Sequence, residues 1–410
     1  MSRLSKAEHP DADLNFLDSP PFPEDVSTAP LLRISLSKLV QGDQGEIDKL
    51  WKACRELGFF YLDLRGASTD QKLTLKPTSV NGLTEKICEE VGRADSATGG
   101  VESNKLENIR DFDADIDGER LLQDAKDLFE IGKEIFDLPV EEKIKYDLKD
   151  QGSYFGYKGY GQGIINAKGT KDRNEFYNVS KDDILGLSEP LPAPELLEPH
   201  RELLKSFMQH SHALVNLLLS LLNRQLGLPC DKLPSLHRLA SISGDQVRWV
   251  NAPPQPTDDQ RTALGQHTDF GSVTILFNRL GGLQVLPPNS DEWSYVKPLR
   301  GHAVINLGDA MVKLTAGILR SNIHRVVNPP GQQASHTRMS LVYFARPADD
   351  VILKALHGSN LIDENRRQNP ETLGEEEITS KEWILRRALG RRQGGDWSKA
   401  GGTESVRLET

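Results

Sequence analysis

Apolar residues recur at helical spacing in four stretches of the chain and gather at strand length in several others. Over 46–55 they fall at Ile47, Leu50, Trp51 and Cys54, one face of a helix. The stretch 121–136 reads as a clean amphipathic helix, and 198–226 as a long one whose centre, Leu214 to Leu222, is apolar enough to pack under a sheet. A fourth helix is predicted over 379–389. Val273 to Phe277 is an apolar run of strand length, and Gly281-Gly282-Leu283-Gln284-Val285-Leu286 reads as its hairpin return. Further strands are predicted over 303–307 and 338–344. Residues 1–30 are polar and proline-rich and predict a flexible leader. Residues 67–118 break the pattern with Thr, Ser, Gly and charges, apart from a short helix near 84–91, and predict a disordered insertion. An intron translated in frame would leave the same signature.

The candidate chemistry lies among the strands. His267-Thr268-Asp269 places an imidazole and a carboxylate two residues apart, which on a strand means one shared face, ~7 Å apart at the backbone. Alone, such a pair is common. A third ligand is available at His324, 57 residues after His267. Two histidines and one carboxylate with open positions opposite is the ligand set of non-haem Fe(II) oxygenases. Arg338 and Ser340 follow, the arginine 14 residues past His324, and share one strand face. A guanidinium fork and a hydroxyl there could grip a carboxylate.

These motifs, in this order, resemble the isopenicillin N synthase-like family of Fe(II)- and 2-oxoglutarate-dependent dioxygenases. The carriers are His267-Thr268-Asp269, Ser321-Asn322-Ile323-His324-Arg325-Val326 and Arg338-Met339-Ser340. Asn306-Leu307-Gly308-Asp309 and Thr315-Ala316-Gly317 fall where the family has similar motifs, as do Gly58-Phe59-Phe60 and Asp172-Arg173-Asn174-Glu175-Phe176. The resemblance runs from Leu31 to Phe344 and implies a mixed α and β fold, a double-stranded β-helix (jelly roll) flanked by helices. It implies Fe(II) on His267, Asp269 and His324, with 2-oxoglutarate chelating the metal and its far carboxylate on Arg338 and Ser340. It further implies O2 as oxidant, ascorbate as a candidate reductant, and hydroxylation, desaturation or ring closure of a small organic metabolite in specialised metabolism. One departure stands out. Where family members often carry a Tyr before Pro-Pro, this chain has Ala252 before Pro253-Pro254, with Asn251 and Arg248 as candidate replacements. That leaves two alternatives: an Fe(II) oxidase that does not use 2-oxoglutarate, and a catalytically silent binding or scaffold member.

The organisation expected is a leader at 1–30, a mostly helical region at 31–230 interrupted at 67–118, the jelly-roll domain at 231–350, and a C-terminal helix and tail at 351–410. A net charge of −10, from 50 Lys and Arg against 60 Asp and Glu, argues against a nucleic-acid surface. No 18-residue apolar run predicts a membrane span, and the N-terminus lacks the apolar core of a secretory signal. Cys54, Cys88 and Cys230 are scattered and suit a reducing compartment, so a cytoplasmic monomer is expected. Aromatic, glycine-rich Tyr154 to Tyr160, with Phe176 or Tyr177, is expected to meet an apolar substrate. His302 and Arg325 are read as structural, His336 as lying in a polar loop before Arg338, His210 and His212 as lying near the polar side of the long helix, and Arg391-Arg392 as solvated surface.

Overall fold

Runs of β-branched and aromatic residues pair into two antiparallel sheets that face one another, and the helices cover one outer face. The computed structural model describes residues 14–16, 18–67, 116–256, 259, 261–369, 377–392, 394–395 and 402–403. Its strands are β1 (Leu32–Ser35), β2 (Phe59–Asp63), β3 (Gly156–Lys158), β4 (Glu175–Ser180), β5 (Gln246–Ala252) and β6 (Leu264–His267). They continue with β7 (Val273–Asn278), β8 (Leu283–Val285), β9 (Ser294–Tyr295), β10 (His302–Leu307), β11 (His324–Val326) and β12 (Arg338–Ala345). The larger sheet has eight strands in the order β1-β2-β10-β7-β12-β5-β4-β3, and the smaller four, β6-β11-β8-β9. Only β1 and β2 pair in parallel; every other pairing of these strands is antiparallel. This is the jelly roll expected, with the region before residue 231 contributing four strands to the larger sheet.

The expected hairpin at Gly281-Gly282 is corrected. β7 belongs to the larger sheet and β8 to the smaller, so the two glycines carry the chain across the sandwich. Gly282 adopts φ +106°, and a Cβ there would meet the Val327 carbonyl oxygen at 2.7 Å. Two-residue alternation looks alike in a hairpin and in a crossover, so the sequence could not separate them.

The longer helices are α1 (Gln44–Glu56), α2 (Gly118–Asp137), α3 (Arg201–Gln225), α4 (Asp309–Leu314), α5 (Asn360–Gln368) and α6 (Ser380–Gly390). α2 and α3 lie on the outer face of the larger sheet. Odd positions of β5 and β12 (Val247, Trp249, Leu341, Tyr343) turn outward and are fully buried there. The Trp249 indole donates from Nε1 to the Leu128 carbonyl of α2 at 2.7 Å. Gly132 lets the two backbones approach, since a Cβ would stand 2.5 Å from the indole. Even positions (Arg248, Val250, Ala252, Arg338, Ser340, Val342 and Phe344) turn inward to a cavity between the sheets.

The insertion expected at 67–118, its short helix and Cys88 lie outside the described residues, save for the ends. There the Gly118 amide donates to the Ala67 carbonyl at 3.0 Å, so the chain returns to the point from which it left. The leader is tied down over its described part, unlike the loose segment its composition predicts. Leu14 and Phe22 are buried, and the Pro20 carbonyl accepts from Gln333 Nε2 at 2.8 Å. Helix α5 has no apolar stripe to announce it, since only Ile362 is buried along it. For α6, Thr379 caps the N-terminus in a reciprocal box with Glu382. Among the described residues no helix is long and apolar enough to cross a membrane.

Trp249 ties the sheet to α2, so Trp249→Ala is expected to cost about 3–5 kcal/mol. Urea unfolding followed by circular dichroism measures it, and a loss under about 1 kcal/mol would contradict the packing described.

Candidate metal centre

The three predicted ligands meet at one edge of the cavity. His267 closes β6, His324 opens β11, and the two residues are partners in register. Asp269 lies beyond the end of β6, where the chain leaves the smaller sheet for β7. The pair therefore converges through this exit turn and not through the pleat of a strand, which corrects the expected geometry. His267 Nε2 stands 3.8 Å, and His324 Nε2 3.7 Å, from Asp269 Oδ1. One ligand atom from each of the three falls within 4.8 Å of the others.

Each side chain is held so that a particular atom faces the centre. His267 Nδ1 donates to the Gly265 carbonyl at 2.8 Å and His324 Nδ1 to the Asn322 carbonyl at 3.1 Å. That fixes the tautomer and leaves both Nε2 lone pairs inward. The Asp269 carboxylate is divided: Oδ2 accepts from Thr274 Oγ1 at 2.6 Å and Asn306 Nδ2 at 2.7 Å, and Oδ1 faces the imidazoles. Burial alone would raise the Asp269 carboxyl, but the two imidazoles and the Asn306 and Thr274 hydrogen bonds outweigh it and hold it at about 2. Burial, then His324 and Arg391, push the His267 imidazole well below its ordinary range. Aspartate and neutral imidazole are the forms that ligate metal. Two nitrogens and one oxygen on one side of an open cavity fit a divalent transition ion.

Further into the cavity Arg338 is 2% exposed. Its Nε donates to the Gly281 carbonyl at 2.7 Å and its Nη1 to Ser340 Oγ at 2.7 Å, while Nη2 has no hydrogen-bond partner. Ser340, accepting from the guanidinium, keeps its own proton to donate. A buried donor and a hydroxyl side by side are the groups that could cradle a carboxylate. Burial lowers the Arg338 guanidinium to about 10, so it is charged at neutral pH. Ala252 is the register partner of Arg338, so the family's tyrosine position does lie beside the cradle. Asn251 points away and donates to Glu175 Oε1 at 2.9 Å, and Arg248 faces the cavity but four residues along the strand from Ala252, so neither takes the tyrosine's place.

The C-terminal helix reaches the site, which was not expected. Fully buried Arg387 of α6 pairs with Asp309 and donates from Nη2 to the Thr268 carbonyl and Oγ1, both at 3.2 Å. Thr268 Oγ1 also donates to Asp309 Oδ2 at 2.9 Å. The residue between His267 and Asp269 is thus locked to the Asn306–Asp309 motif and to α6. Arg391 and Arg392 line the cavity, which corrects their reading as solvated surface, and Arg392 is held by Asp147 Oδ2 at 2.8 Å. His212 is corrected too: it is buried against the sheet, 4.0 Å from Asp245. His302 packs beside Asp63 and Arg325 over Trp293, both away from the triad. Tyr154 of the aromatic loop and Phe176 of β4 line the cavity, while Tyr157 and Tyr177 belong to the core.

Two family models match the chain. The 2OG-Fe(II) oxygenase superfamily covers residues 244–347, and the N-terminal model described as non-haem dioxygenase in morphine synthesis covers 121–200. A 2-oxoglutarate-dependent dioxygenase of Aspergillus fumigatus is 30% identical over 372 residues, spanning 85% of this chain and 83% of the relative. The 2-oxoglutarate-dependent dioxygenase frbH of a Dothideomycetidae species is 30% identical over 336 residues, 82% of this chain and 87% of its own. A full-length Neurospora crassa protein, solved in complex with alpha-KG and 5-formyluracil, has the same fold. Its TM-score is 0.62 at 21% identity, covering 89% of this chain and 97% of that one. The chain belongs to the 2OG-Fe(II) oxygenase superfamily. It is a non-haem dioxygenase that uses Fe(II), 2-oxoglutarate and O2.

Thr274→Val and Asn306→Ala each remove one of the two hydrogen bonds on Asp269 Oδ2 and are expected to weaken Fe(II) or Mn(II) binding about 10–100-fold. Metal titration by calorimetry reads this, and unchanged affinity in both variants would exclude the orienting role. Arg387→Met leaves Asp309 buried without its charge partner, with an expected loss of about 3–5 kcal/mol in thermal or urea unfolding. A neutral outcome would mean that α6 is not anchored here.

Proposed function

We propose that His267, Asp269 and His324 hold the Fe(II) and that Arg338 and Ser340 hold the distal carboxylate of 2-oxoglutarate. The observation that carries this is the unpartnered Arg338 Nη2, buried in the same cavity as the triad and beside a hydroxyl with a proton to give. A bare guanidinium donor in an apolar wall is costly, and a carboxylate satisfies it. The chemistry is an oxidation of a small organic metabolite, by hydroxylation, desaturation or ring closure, in specialised metabolism. The fungal relatives, named as 2-oxoglutarate-dependent dioxygenases, support that setting.

Iron, when bound, supplies the redox chemistry that couples O2 to decarboxylation of the cosubstrate, leaving succinate and CO2. The chain's own residues do the positioning. Gly265 and Asn322 carbonyls keep the imidazole Nε2 atoms inward, and Thr274 with Asn306 keeps one Asp269 oxygen inward. Arg338 and Ser340 orient the cosubstrate from its far end. Val250, Leu276, Val326 and Val342 make the walls apolar and exclude water. The protein acts as a cytoplasmic monomer without nucleic acid, and ascorbate serves as reductant. Buried Cys54 and the absence of disulfides among the described residues are compatible with a reducing compartment.

Anaerobic addition of Fe(II) and then 2-oxoglutarate is expected to raise a weak metal-to-ligand charge-transfer band in the visible. Arg338→Leu should weaken 2-oxoglutarate binding about 100-fold and leave metal binding intact. No band from the unaltered protein would favour a silent site, and turnover in which 2-oxoglutarate has no effect would favour a cosubstrate-independent oxidase.

A further inference from the structure

The cavity carries more positive charge than the metal centre and the cosubstrate cradle use. Lys158, Arg248, Arg346, Arg391 and Arg392 line it beside Arg338, within a chain of net charge −10. Lys158 is matched by Asp172, and Arg392 by Asp147. Arg248 and Arg346 form no ion pair with any described residue. Arg248 Nε donates only to the neutral Asn178 Oδ1, at 2.7 Å. Arg346 is 4% exposed, and its Nε and Nη1 have no hydrogen-bond partner.

Aromatic faces hold both guanidinium planes. That of Arg248 lies 4.2 Å from the Phe176 ring centre and 5.0 Å from that of Phe344. That of Arg346 lies 5.3 Å from Tyr154 and 5.6 Å from the same Phe344. Stacking softens the burial of a cation but supplies no counter-charge. Burial, and then the neighbouring Arg346, lower the Arg248 guanidinium to about 9, so it remains charged near neutral pH. Two adjacent buried cations repel each other and have lost their water, a combination that a bound anion would relieve.

That anion is separate from the cosubstrate. Arg248 is the register partner of Val342, four residues along β12 from Arg338, or ~13 Å at the strand rise. Asp269 is among the charges acting on Arg248, so this end of the cavity adjoins the metal centre.

We propose that the substrate is a carboxylic acid, its carboxylate gripped by Arg248 and Arg346 and its carbon skeleton laid against Tyr154, Phe176 and Phe344. This departs from the apolar substrate expected from the aromatic loop, and it rests on the metal and cosubstrate assignment above. The acid group would fix the register of the skeleton, so that one C–H lies over the metal centre. Lengthening the chain between acid and reacting carbon would then move the position oxidised.

The test uses the full chain loaded with Mn(II) and 2-oxoglutarate, which binds without turnover. The probes are matched pairs, each a carboxylic acid and its primary amide, on aliphatic, alicyclic and aromatic skeletons. Thermal shift finds binders and calorimetry measures them. Acids are expected to bind at least about 10-fold tighter than their amides. Arg248→Gln and Arg346→Gln should each weaken the acids by about 10-fold or more, with Arg346→Lys recovering part of the loss. Affinity for 2-oxoglutarate should be unchanged in these variants, which also reports that the fold is intact. Amides that bind as tightly as acids, a panel in which no acid binds, or acid affinity that survives both substitutions would overturn the proposal. Failure of 2-oxoglutarate to bind the unaltered protein would instead sink the assignment on which it rests.

Discussion

The division of the Asp269 carboxylate is the constraint on which the site depends. One oxygen is spent on Thr274 and Asn306, from β7 and β10 of the larger sheet, and the other is presented to two imidazoles from the smaller sheet. Three chain segments distant in sequence are thereby brought to one point. Neither sheet alone could build the centre, because the histidines belong to β6 and β11 and the orienting groups lie opposite. The sandwich exists as a frame for that convergence, with α2 and α3 supporting the larger sheet from behind through Trp249 and its neighbours.

Beyond the centre, the inner face of the larger sheet acts as a ruler. Inward residues of β12 run from Arg338 and Ser340 through Val342 to Phe344, and those of β5 from Ala252 through Val250 to Arg248. The proposed cosubstrate cradle lies at one end and the Arg248–Arg346 pair at the other, with apolar side chains between. Two-residue strand periodicity thus spaces the two proposed anion sites along a single face. Helix α6 closes this arrangement from outside, as Arg387 fastens Thr268 to Asp309 and the residues after it bring Arg391 and Arg392 to the cavity.

What could be read from the sequence followed interaction range. Ile47, Leu50 and Cys54, or the apolar centre of α3, announce helices because neighbours at helical spacing decide them. The three site motifs were legible because their residue types and order are chemically restrictive. Strand pairing was not: β7 and the Gly281-Gly282 segment look like a hairpin until the sheets are assembled. The same holds for Arg387 and Arg391, since a basic residue on a C-terminal helix reads as surface unless its docking partner is known. Asp309 was the available signal, a carboxylate in an apolar stretch that required a cation, and Thr274 gave no sign beyond facing inward on its strand. The stacked arginines were hidden for a similar reason. Arg346 lies just past β12, and nothing local to Arg248 tells that the two meet.

The central claim is that one oxygen of Asp269 and the two Nε2 atoms bind a metal ion while the other oxygen does not. Anomalous diffraction from crystals grown with Mn(II) and 2-oxoglutarate tests it most directly. One strong peak is expected at about 2 Å from His267 Nε2, His324 Nε2 and Asp269 Oδ1, with Oδ2 still accepting from Thr274 and Asn306. A peak elsewhere in the cavity, or one bound through Oδ2 with the Thr274 and Asn306 contacts broken, would contradict it.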